Sequence, residues 1–503
     1  MSTGSAVAEG SAAAPARRVL VICTDQQRWD SLGCYGSEEV HTPHIDSLAA
    51  DGTLFERCYA TNPVCAPSRA SMLTGTYPYQ HGLWANGVKL PADRVTLLRN
   101  LAAAGYRSGL VGKLHLSPCA GGRTEDPAEY GFGWHRWSHG PPQAAPTNAY
   151  HGWLAERHPE LATEAAAAAT HWGARTDLPP AGGRPRAHHD MPAEAHYSRW
   201  AAEAAMEFID SMTPRQPWLL WVNFFDPHHP FAAPEEYVRR VSGRRRRPPV
   251  GSADDLRGRP RPLRGLSEQS YAGSARGFQE YRPEEISQIR DRYWAMIDLV
   301  DEQAGRILRA AEEAGPTGEL LVLFISDHGE MLGDHGLLLK GPMMYEGAVR
   351  VPCILRWPGR VPSGRRVGGP VSLADVAATI SQAAGIEAPA GGQGQSLVGV
   401  AAGTAEPREA VITEYRNSGH PHDPPISTTM VSDGQYKAIV WHGQHGHGAE
   451  PAGELYDLRS DPGELVNLWR DPRLAQIRAR LLLAMATELS FPSAAWPARD
   501  AFF

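Results

Sequence analysis

Four short apolar runs along the chain each end abruptly in polar or charged residues. Runs of about five to eight apolar residues bounded by glycine, proline and polar residues are typical of buried strands, and most naturally of parallel ones. We therefore predict strands at four places, namely Arg18–Cys23, Tyr106–Val111, Trp218–Phe225 and Glu319–Ile325.

Helical spacing of apolar residues precedes three of these strands. The predicted helices cover 96–105, 197–212 and 284–315. Strands that alternate with helices indicate an α/β fold, and in such folds ligands bind beyond the carboxyl ends of the strands. We therefore expect the polar clusters that follow the four strands to converge at one edge of a sheet.

Near residue 404 the pattern changes to short strands, which predicts a small antiparallel lobe. Its expected elements are strands at 410–415, 436–441 and 454–458 and a final helix near 472–489. The predicted organisation is a disordered tail at 1–16, an α/β domain at 17–403 and the sheet lobe at 404–503. Within the α/β domain we interpret two stretches, 140–190 and 240–268, as insertions.

The composition is that of an ordinary globular protein, with 503 residues of which 42% are hydrophobic and 21% charged. A net charge of −7 argues against nucleic-acid binding. No stretch reaches the roughly 18 consecutive apolar residues of a membrane span, so no membrane association is expected. The tail lacks a secretory signal, and six scattered cysteines without a CxxC pair favour reduced thiols. Together these features predict a cytoplasmic location.

Two polar pairs at predicted strand ends indicate a divalent-cation site. Asp25 and Gln26 follow the first strand, and Asp327 and His328 follow the last. Such oxygen-rich ligation favours Ca²⁺, Mg²⁺ or Mn²⁺, and the imidazole favours Mn²⁺ somewhat. Each pair alone is weak evidence because aspartate often caps a helix after a strand. Their joint position favours a metal.

Cationic and titratable side chains surround the same predicted edge. Lys113 and His115 follow the second strand, His228 follows the third, and Lys340 comes shortly after Asp327. Each alone would usually be structural. A pocket that combines cations, histidines and a divalent metal suits an anionic substrate with several oxygens, which means a sulfate or phosphate ester.

A single thiol, Cys65, precedes a predicted helix that contains Arg69 one turn further on. Pro67 suits the first helical turn, where a missing N–H costs nothing. Cys65 then lies at the helix N-terminus, a position that lowers a thiol pKa and favours an anion. The spacing alone leaves a buried cysteine at the start of a helix equally open.

Residues 65–75, which read CAPSRASMLTG, resemble the type I sulfatase signature C-x-P-S-R-x-x-x-L-T-G at every fixed position. Further similar segments are GKLH at 112–115, SDHGE at 326–330, GDH at 333–335 and ELYDL with DPGE at 454–464. The resemblance extends from about residue 18 to 470. It implies the alkaline-phosphatase-like α/β/α sandwich with a smaller C-terminal antiparallel-sheet lobe, and hydrolysis of a small anionic sulfate ester.

The resemblance also implies that a maturation enzyme oxidises Cys65 to Cα-formylglycine, whose hydrate attacks sulfur. It assigns the cation to Asp25, Gln26, Asp327 and His328, with Ca²⁺ favoured over Mn²⁺ or Mg²⁺. Arg69 and Lys113 are then expected to steady the hydrate and His115 to take its proton. His228, rather than His229, is expected to bind sulfate with Lys340 and to assist the leaving oxygen.

Two positions depart from the common sulfatase pattern. Gln26 stands where many members have aspartate, and His328 where many have asparagine. Both resemble a subset that includes choline sulfatase-like and phosphonate monoester hydrolase-like enzymes. Losing one negative charge makes the site more electropositive, which keeps a phosphate diester or phosphonate monoester open as substrate. The intact Lys113 and His115 favour a sulfate ester, and the organic leaving group is not specified by the sequence.

Overall fold

The computed structural model describes residues 15–119, 122–141, 143, 147–170, 191–244, 246–270, 275–443 and 453–490. The strands are β1 (Arg18–Thr24), β2 (Thr53–Tyr59), β3 (Arg107–Gly112), β4 (Trp134–Trp137), β5 (Trp218–Asn223), β6 (Gln269–Ser270), β7 (Ala275–Arg276), β8 (Leu320–Ser326), β9 (Arg350–Val351), β10 (Cys353–Arg356), β11 (Arg365–Ser372), β12 (Val411–Arg416), β13 (Ser427–Ser432), β14 (Tyr436–His442) and β15 (Gly453–Asp457). The α-helices are α1 (Pro43–Ala50), α2 (Cys65–Thr74), α3 (Pro78–His81), α4 (Thr96–Ala103), α5 (Ala149–Arg157), α6 (Pro159–Thr170), α7 (Tyr197–Asp210), α8 (Glu235–Val241), α9 (Arg261–Glu268), α10 (Pro283–Glu313), α11 (Glu346–Val349), α12 (Asp375–Ala384), α13 (Leu397–Ala402) and α14 (Ala475–Leu489).

The four strands predicted from apolar runs lie side by side in the main sheet, in the order β8-β1-β5-β3, and run parallel. Strands that the apolar runs did not predict extend the sheet on both sides. β4 pairs with β3, while β10 runs antiparallel between β8 and β2, and β11 lies at the far edge. The four central parallel strands were therefore predicted correctly, and the strands that flank them, parallel β4 and antiparallel β10 among them, were not.

Side chains of β1 alternate between two hydrophobic cores, one on each face of the sheet. Leu20 and Ile22 join the core formed with α7 and α10. Val21 and Cys23 join the core formed with α2, α4 and α12. Burying one such aliphatic side chain contributes roughly 1.5–3 kcal/mol, so both helix layers are held firmly. The expected α/β/α sandwich is confirmed.

A separate sheet of four antiparallel strands, β12-β13-β14-β15, follows the main body. Leu481 and Met485 of α14 pack against it, as expected for the C-terminal lobe. Among the described helices, none is both long enough and apolar enough to cross a bilayer.

The predicted tail and insertions are only partly described. Residues 1–14 lie outside the described residues, but Ala16 is buried and its N–H donates to Ala383, so the packed part of the chain begins before residue 17. In the first predicted insertion, α5 and α6 are helical and residues 171–190 lie outside the description. The Trp137 indole is buried and donates to Glu125, which makes it a packing residue.

Candidate active site

The carboxyl ends of β8, β1, β5 and β3 form one continuous edge, because these neighbours are parallel and in register. Asp327 follows β8 and Asp25 follows β1. His228 comes shortly after β5, and Lys113 directly follows β3. The sheet order therefore brings together side chains that are up to about three hundred residues apart in sequence, and all four are buried.

A compact donor cluster occupies this edge. One ligand atom from each of Asp25, Cys65, Asp327 and His328 lies within 4.8 Å of the others. The His328 Nε2 atom is 3.7 Å from Asp25 Oδ1 and 3.7 Å from Asp327 Oδ1. Ligands that share one Ca²⁺ ion at 2.3–2.6 Å sit roughly 3–4 Å apart. The spacing and the oxygen-rich donors therefore fit a divalent cation.

The tautomer of His328 suits a metal ligand. Its Nδ1 lies 2.9 Å from the carbonyl oxygen of Gly329 and donates to it. Burial opposes a charge on this ring, but Asp327 and Cys65 outweigh it and raise the His328 pKa. A cation would take the place of the proton on Nε2, which faces the carboxylates. Three predicted ligands thus share one cluster.

Gln26 is arranged differently from the other three predicted ligands. Its backbone is left-handed, with φ of 69°, and its N–H donates to Asp327 Oδ1 at 3.0 Å. Its side-chain carbonyl oxygen accepts from Lys340 Nζ and lies 3.2 Å from His229 Nδ1. The amide oxygen therefore faces the cationic side of the site.

Cys65 is the first residue of α2, as predicted, and it is buried. Its Sγ lies 3.1 Å from His328 Nε2 and 3.7 Å from Asp25 Oδ1. At the same helix end, Asn86 accepts from the N–H of Ala66 at 3.1 Å, which satisfies one of the free amides of the first turn. The helix start therefore delivers the residue 65 side chain directly to the donor cluster.

Arg69 and Lys113 neutralise the two carboxylates. Arg69 lies four residues after Cys65 and so on the same helix face; its guanidinium reaches Asp327 Oδ2 at 2.7 Å and Asp25 Oδ2 at 3.1 Å. Lys113 Nζ donates to the same Asp25 oxygen at 2.6 Å. Buried charges of this kind persist only when they are paired, and here each has a partner.

These contacts keep the central groups charged. Burial alone would raise the pKa of the Asp25 carboxyl, but Lys113, then His228 and Arg69, outweigh it and hold that pKa well below its usual range. Burial likewise works against the charge of Lys113, yet Asp25 beside it raises the Lys113 pKa. The site therefore combines an ionised carboxylate with fixed cations.

The same field acts on the thiol. Burial and the Asp25 carboxylate both oppose a thiolate at Cys65, but Lys113, Lys340 and His328 outweigh them, and the pKa of Cys65 is lowered. The cations around residue 65 therefore stabilise a negative charge on its side chain.

His228 and Lys340 lie on the other side of the cluster. Lys340 Nζ is 2.7 Å from His228 Nε2, which in turn is 4.0 Å from Asp25 Oδ1. His228 Nδ1 donates to the carbonyl oxygen of His229. Burial, with His229 and Lys340 nearby, holds the His228 pKa well below its usual value. Neutral His228 therefore accepts the hydrogen bond that Lys340 Nζ donates.

His115 is placed by its backbone and by a neighbouring ring. Its ring packs edge-on against His139, with centroids 4.4 Å apart. Burial and His139 hold the pKa of His115 well below its usual value, so the imidazole is neutral and able to accept a proton. Sequence reasoning missed His139, because no pattern marks this residue.

Glu330 was also missed as a functional residue, although it lies inside the SDHGE segment. Its carboxylate accepts from Gln26 Nε2 and from the N–H groups of Leu332 and Leu339. It therefore fixes which way the Gln26 amide faces. A glutamate at the end of a metal motif is the signal that could have suggested this role.

Two models of known protein families match this chain. A family model described as Sulfatase matches residues 17–386. A second, described as N-sulphoglucosamine sulphohydrolase, C-terminal, matches residues 333–489. The two matches together extend from the start of β1 into α14.

Individual relatives are similar over most of their length. A sulfatase named YidJ from Escherichia coli is 30% identical over 92% of this chain and 85% of its own length. An arylsulfatase from Clostridium perfringens is 27% identical over 90% of this chain and 89% of its own. The crystal structure of a phosphonate monoester hydrolase from Agrobacterium radiobacter superposes with a TM-score of 0.75 at 27% identity, covering 95% of this chain and 96% of that one.

Proposed function

The chain belongs to the sulfatase family of sulfuric ester hydrolases, within the alkaline phosphatase superfamily, and on that premise we propose that it cleaves an organic sulfate monoester to an alcohol and inorganic sulfate. One observation carries the proposal. The Sγ atom of Cys65, the cysteine of the signature, lies 3.1 Å from His328 Nε2 and 3.7 Å from Asp25 Oδ1. Nucleophile and cation ligands can therefore act on the same sulfate group.

The two groups that family membership implies have a place among these residues. A divalent cation bound by Asp25, Asp327 and His328 would draw charge from one sulfate oxygen and lower the pKa of the attacking hydroxyl. The Gln26 amide oxygen, which accepts from Lys340, would have to exchange that contact for the cation to serve as the fourth ligand. With a hydrated aldehyde in place of the Cys65 thiol, position 65 would offer one hydroxyl to attack sulfur and a second whose deprotonation would re-form the carbonyl and release sulfate.

The remaining side chains orient the groups and move protons. Arg69 and Lys113 hold Asp25 and Asp327 in place and face residue 65 with positive charge. As the S–O bond to the leaving group breaks, the leaving oxygen takes a proton from Lys340 Nζ and departs as an alcohol. Neutral His115 then accepts the proton of the second hydroxyl.

Formation of the aldehyde is assigned to a partner. A separate maturation enzyme, with its own electron acceptor, performs the two-electron oxidation of Cys65 and removes its sulfur. The partners proposed for this chain are thus that enzyme and a small anionic substrate. All six cysteines are free, and a cytoplasmic location stays a prediction.

A second activity is favoured by two specific observations. The phosphonate monoester hydrolase structure superposes over nearly the whole chain, and an uncharged amide stands at Gln26 beside Lys340. A site with one carboxylate fewer suits a phosphonate monoester or phosphate diester. Hydrolysis of either ester would use the same residues, so the two activities differ in the rate at which each substrate is cleaved.

Side-by-side kinetics separates the two activities. Protein coexpressed with a maturation enzyme is assayed on 4-nitrophenyl sulfate, phenyl phosphonate monoester and bis(4-nitrophenyl) phosphate, with Cys65→Ala as the matched blank. The proposal predicts the highest kcat/KM for the sulfate. Much faster hydrolysis of the phosphonate or the diester would instead establish the second activity.

A further inference from the structure

Glu125 is a buried carboxylate that the proposed chemistry does not use. It lies in the segment between β3 and β4 and is only 5% exposed. Among the described residues no lysine or arginine forms an ion pair with it. Its partners are three N–H groups: the backbone amides of His115, at 2.7 Å, and of Leu116, and the indole of Trp137, at 3.2 Å.

The backbone of His115 is shaped to bind this carboxylate. Its φ of 63° lies in the left-handed region, which a residue with a side chain rarely adopts. Such a turn aims successive N–H groups at one side and forms a concave anion site. Glu125 occupies that concavity with one oxygen on each of the two amides. Left-handed backbone costs of the order of 1 kcal/mol or more, which the carboxylate offsets.

The same carboxylate ties together both walls around the His115 ring. Trp137 ends β4, and His139, two residues later, packs edge-on against His115 at 4.4 Å. The N–H of Ser138, between them, donates to Gly112 at the end of β3. Glu125 therefore fixes the backbone of His115 and the strand that carries its ring neighbour.

We propose that Glu125 is a positioning residue for His115, holding the imidazole where it accepts the proton that releases sulfate. The inference rests on the proposed function, because it gives His115 its task. All three partners of the carboxylate are donors, and an amide can accept with only one of its two terminal atoms. Glu125→Gln therefore turns an NH₂ group toward an N–H and disturbs the turn with almost no change in volume.

The kinetic expectation follows from the step that His115 serves. If sulfate release slows, kcat and KM fall together, by about 10- to 100-fold, while kcat/KM stays within about threefold of wild type. The alcohol then appears in a burst ahead of sulfate. The matched control is Glu129→Gln, since Glu129 is half-exposed and pairs with Lys89 on the surface; it should behave as wild type.

A second measurement is independent of turnover. Hydrogen–deuterium exchange at the amides of His115 and Leu116 should be slow in wild type and in Glu129→Gln, and faster in Glu125→Gln. If Glu125→Gln does not fold, Trp137→Phe removes one of the three donors and should give the same kinetic pattern at smaller amplitude.

Defined results overturn the inference. Equal losses in kcat and kcat/KM without a burst would mean a general structural role, and wild-type kinetics or exchange would mean no role. The proposed function is judged separately by wild-type activity on 4-nitrophenyl sulfate. If wild type prefers a phosphonate, the same variants are compared on that ester, and the exchange result stands in either case.

Discussion

At the scale of single residues, the two central carboxylates of the site, Asp25 and Asp327, are each paired with a buried cation. Asp25 accepts hydrogen bonds from both Arg69 and Lys113, and Lys113 also lowers the pKa of Cys65. Lys340 has a different position, since its ammonium contacts neutral groups, the amide oxygen of Gln26 and the imidazole of His228. Its Nζ atom therefore has no carboxylate partner among these two contacts, and we assign it the proton transfer to the leaving oxygen.

Removing that ammonium should affect substrates unequally. Lys340→Ala is expected to lower kcat by roughly 10²–10³ on an alkyl sulfate, whose leaving oxygen needs a proton. The loss should be much smaller on 4-nitrophenyl sulfate, since nitrophenolate leaves without one. Steady-state kinetics on both esters checks this, with the exposed Lys89→Ala as control. Equal losses on the two esters would contradict the role of proton donor.

Cation binding should be visible as stability. Ca²⁺ bound only by the folded protein raises Tm as its concentration passes Kd, and a chelator should abolish turnover until Ca²⁺ or Mn²⁺ is restored. His328→Ala is expected to need at least about tenfold more cation for the same rise in Tm. His442→Ala, in the small sheet, is the matched control. A wild-type Tm that does not change with cation concentration would contradict the metal site.

Most residues whose side chains form the site could be predicted from the sequence, because they follow apolar strands or lie in a specific signature. His139 and Glu125 could not, since neither directly follows a strand that the apolar runs predict, and only its place in the SDHGE segment could have suggested Glu330. Their positions depend on the turn at His115 and on the side-chain amide of Gln26, which only the folded chain defines.

At the scale of elements, the apolar runs found the parallel centre of the sheet and missed its flanks. β11 contains Gly368, Gly369 and Pro370 with a shift of register, so no continuous apolar run marks it. Strand β13 contains the buried residues Thr428 and Thr429, and because threonine is polar this strand is not recognised as an apolar run. Edge strands and hydroxyl-rich strands are therefore the systematic omissions.

Helix α1 shows how one element anchors another. Asp301 of α10 accepts from the first-turn amides of His44 and Ile45, at 3.2 and 2.8 Å. Burial raises the pKa of Asp301 to about 7 despite these two amides. The folded pKa exceeds the unfolded value, so the stability that Asp301 contributes is complete below about pH 4 and is lost as pH rises toward 7.

Asp301→Asn should remove that dependence. The difference in unfolding free energy between wild type and Asp301→Asn is expected to shift in favour of the variant by about 2–3 kcal/mol from near pH 5 to near pH 8. Urea unfolding at the two pH values measures it. A difference that does not change with pH would show that Asp301 is ionised throughout.

At the scale of the whole molecule, buried ion pairs join the small sheet to the main body. Lys437 of β14 is fully buried and donates to Glu346 at 2.9 Å and Glu464 at 2.8 Å. Arg259, from the second predicted insertion, reaches Glu454 of β15 at 3.1 Å. The lobe was predictable from its strand pattern, whereas these pairs were not, because Lys437 occupies an ordinary position in an alternating strand.

Lys437→Met should therefore destabilise the whole protein. It keeps the length of the side chain but leaves Glu464 without its ammonium, which costs about 3 kcal/mol or more. Urea unfolding followed by circular dichroism measures the loss, and Lys89→Met, at an exposed pair, should change stability by less than about 1 kcal/mol. Equal stabilities of the two variants would mean that the buried pair does not join the lobes.

The central claim is that residue 65 acts as an aldehyde hydrate among the ligands of a cation. The most direct measurement is the mass of the peptide that contains residue 65, taken from active protein coexpressed with a maturation enzyme, alongside its turnover of a sulfate ester. The account predicts the mass of an aldehyde in place of the thiol, with activity proportional to that fraction and absent in a folded Cys65→Ala. Full activity in protein whose Cys65 is an unmodified thiol would contradict it.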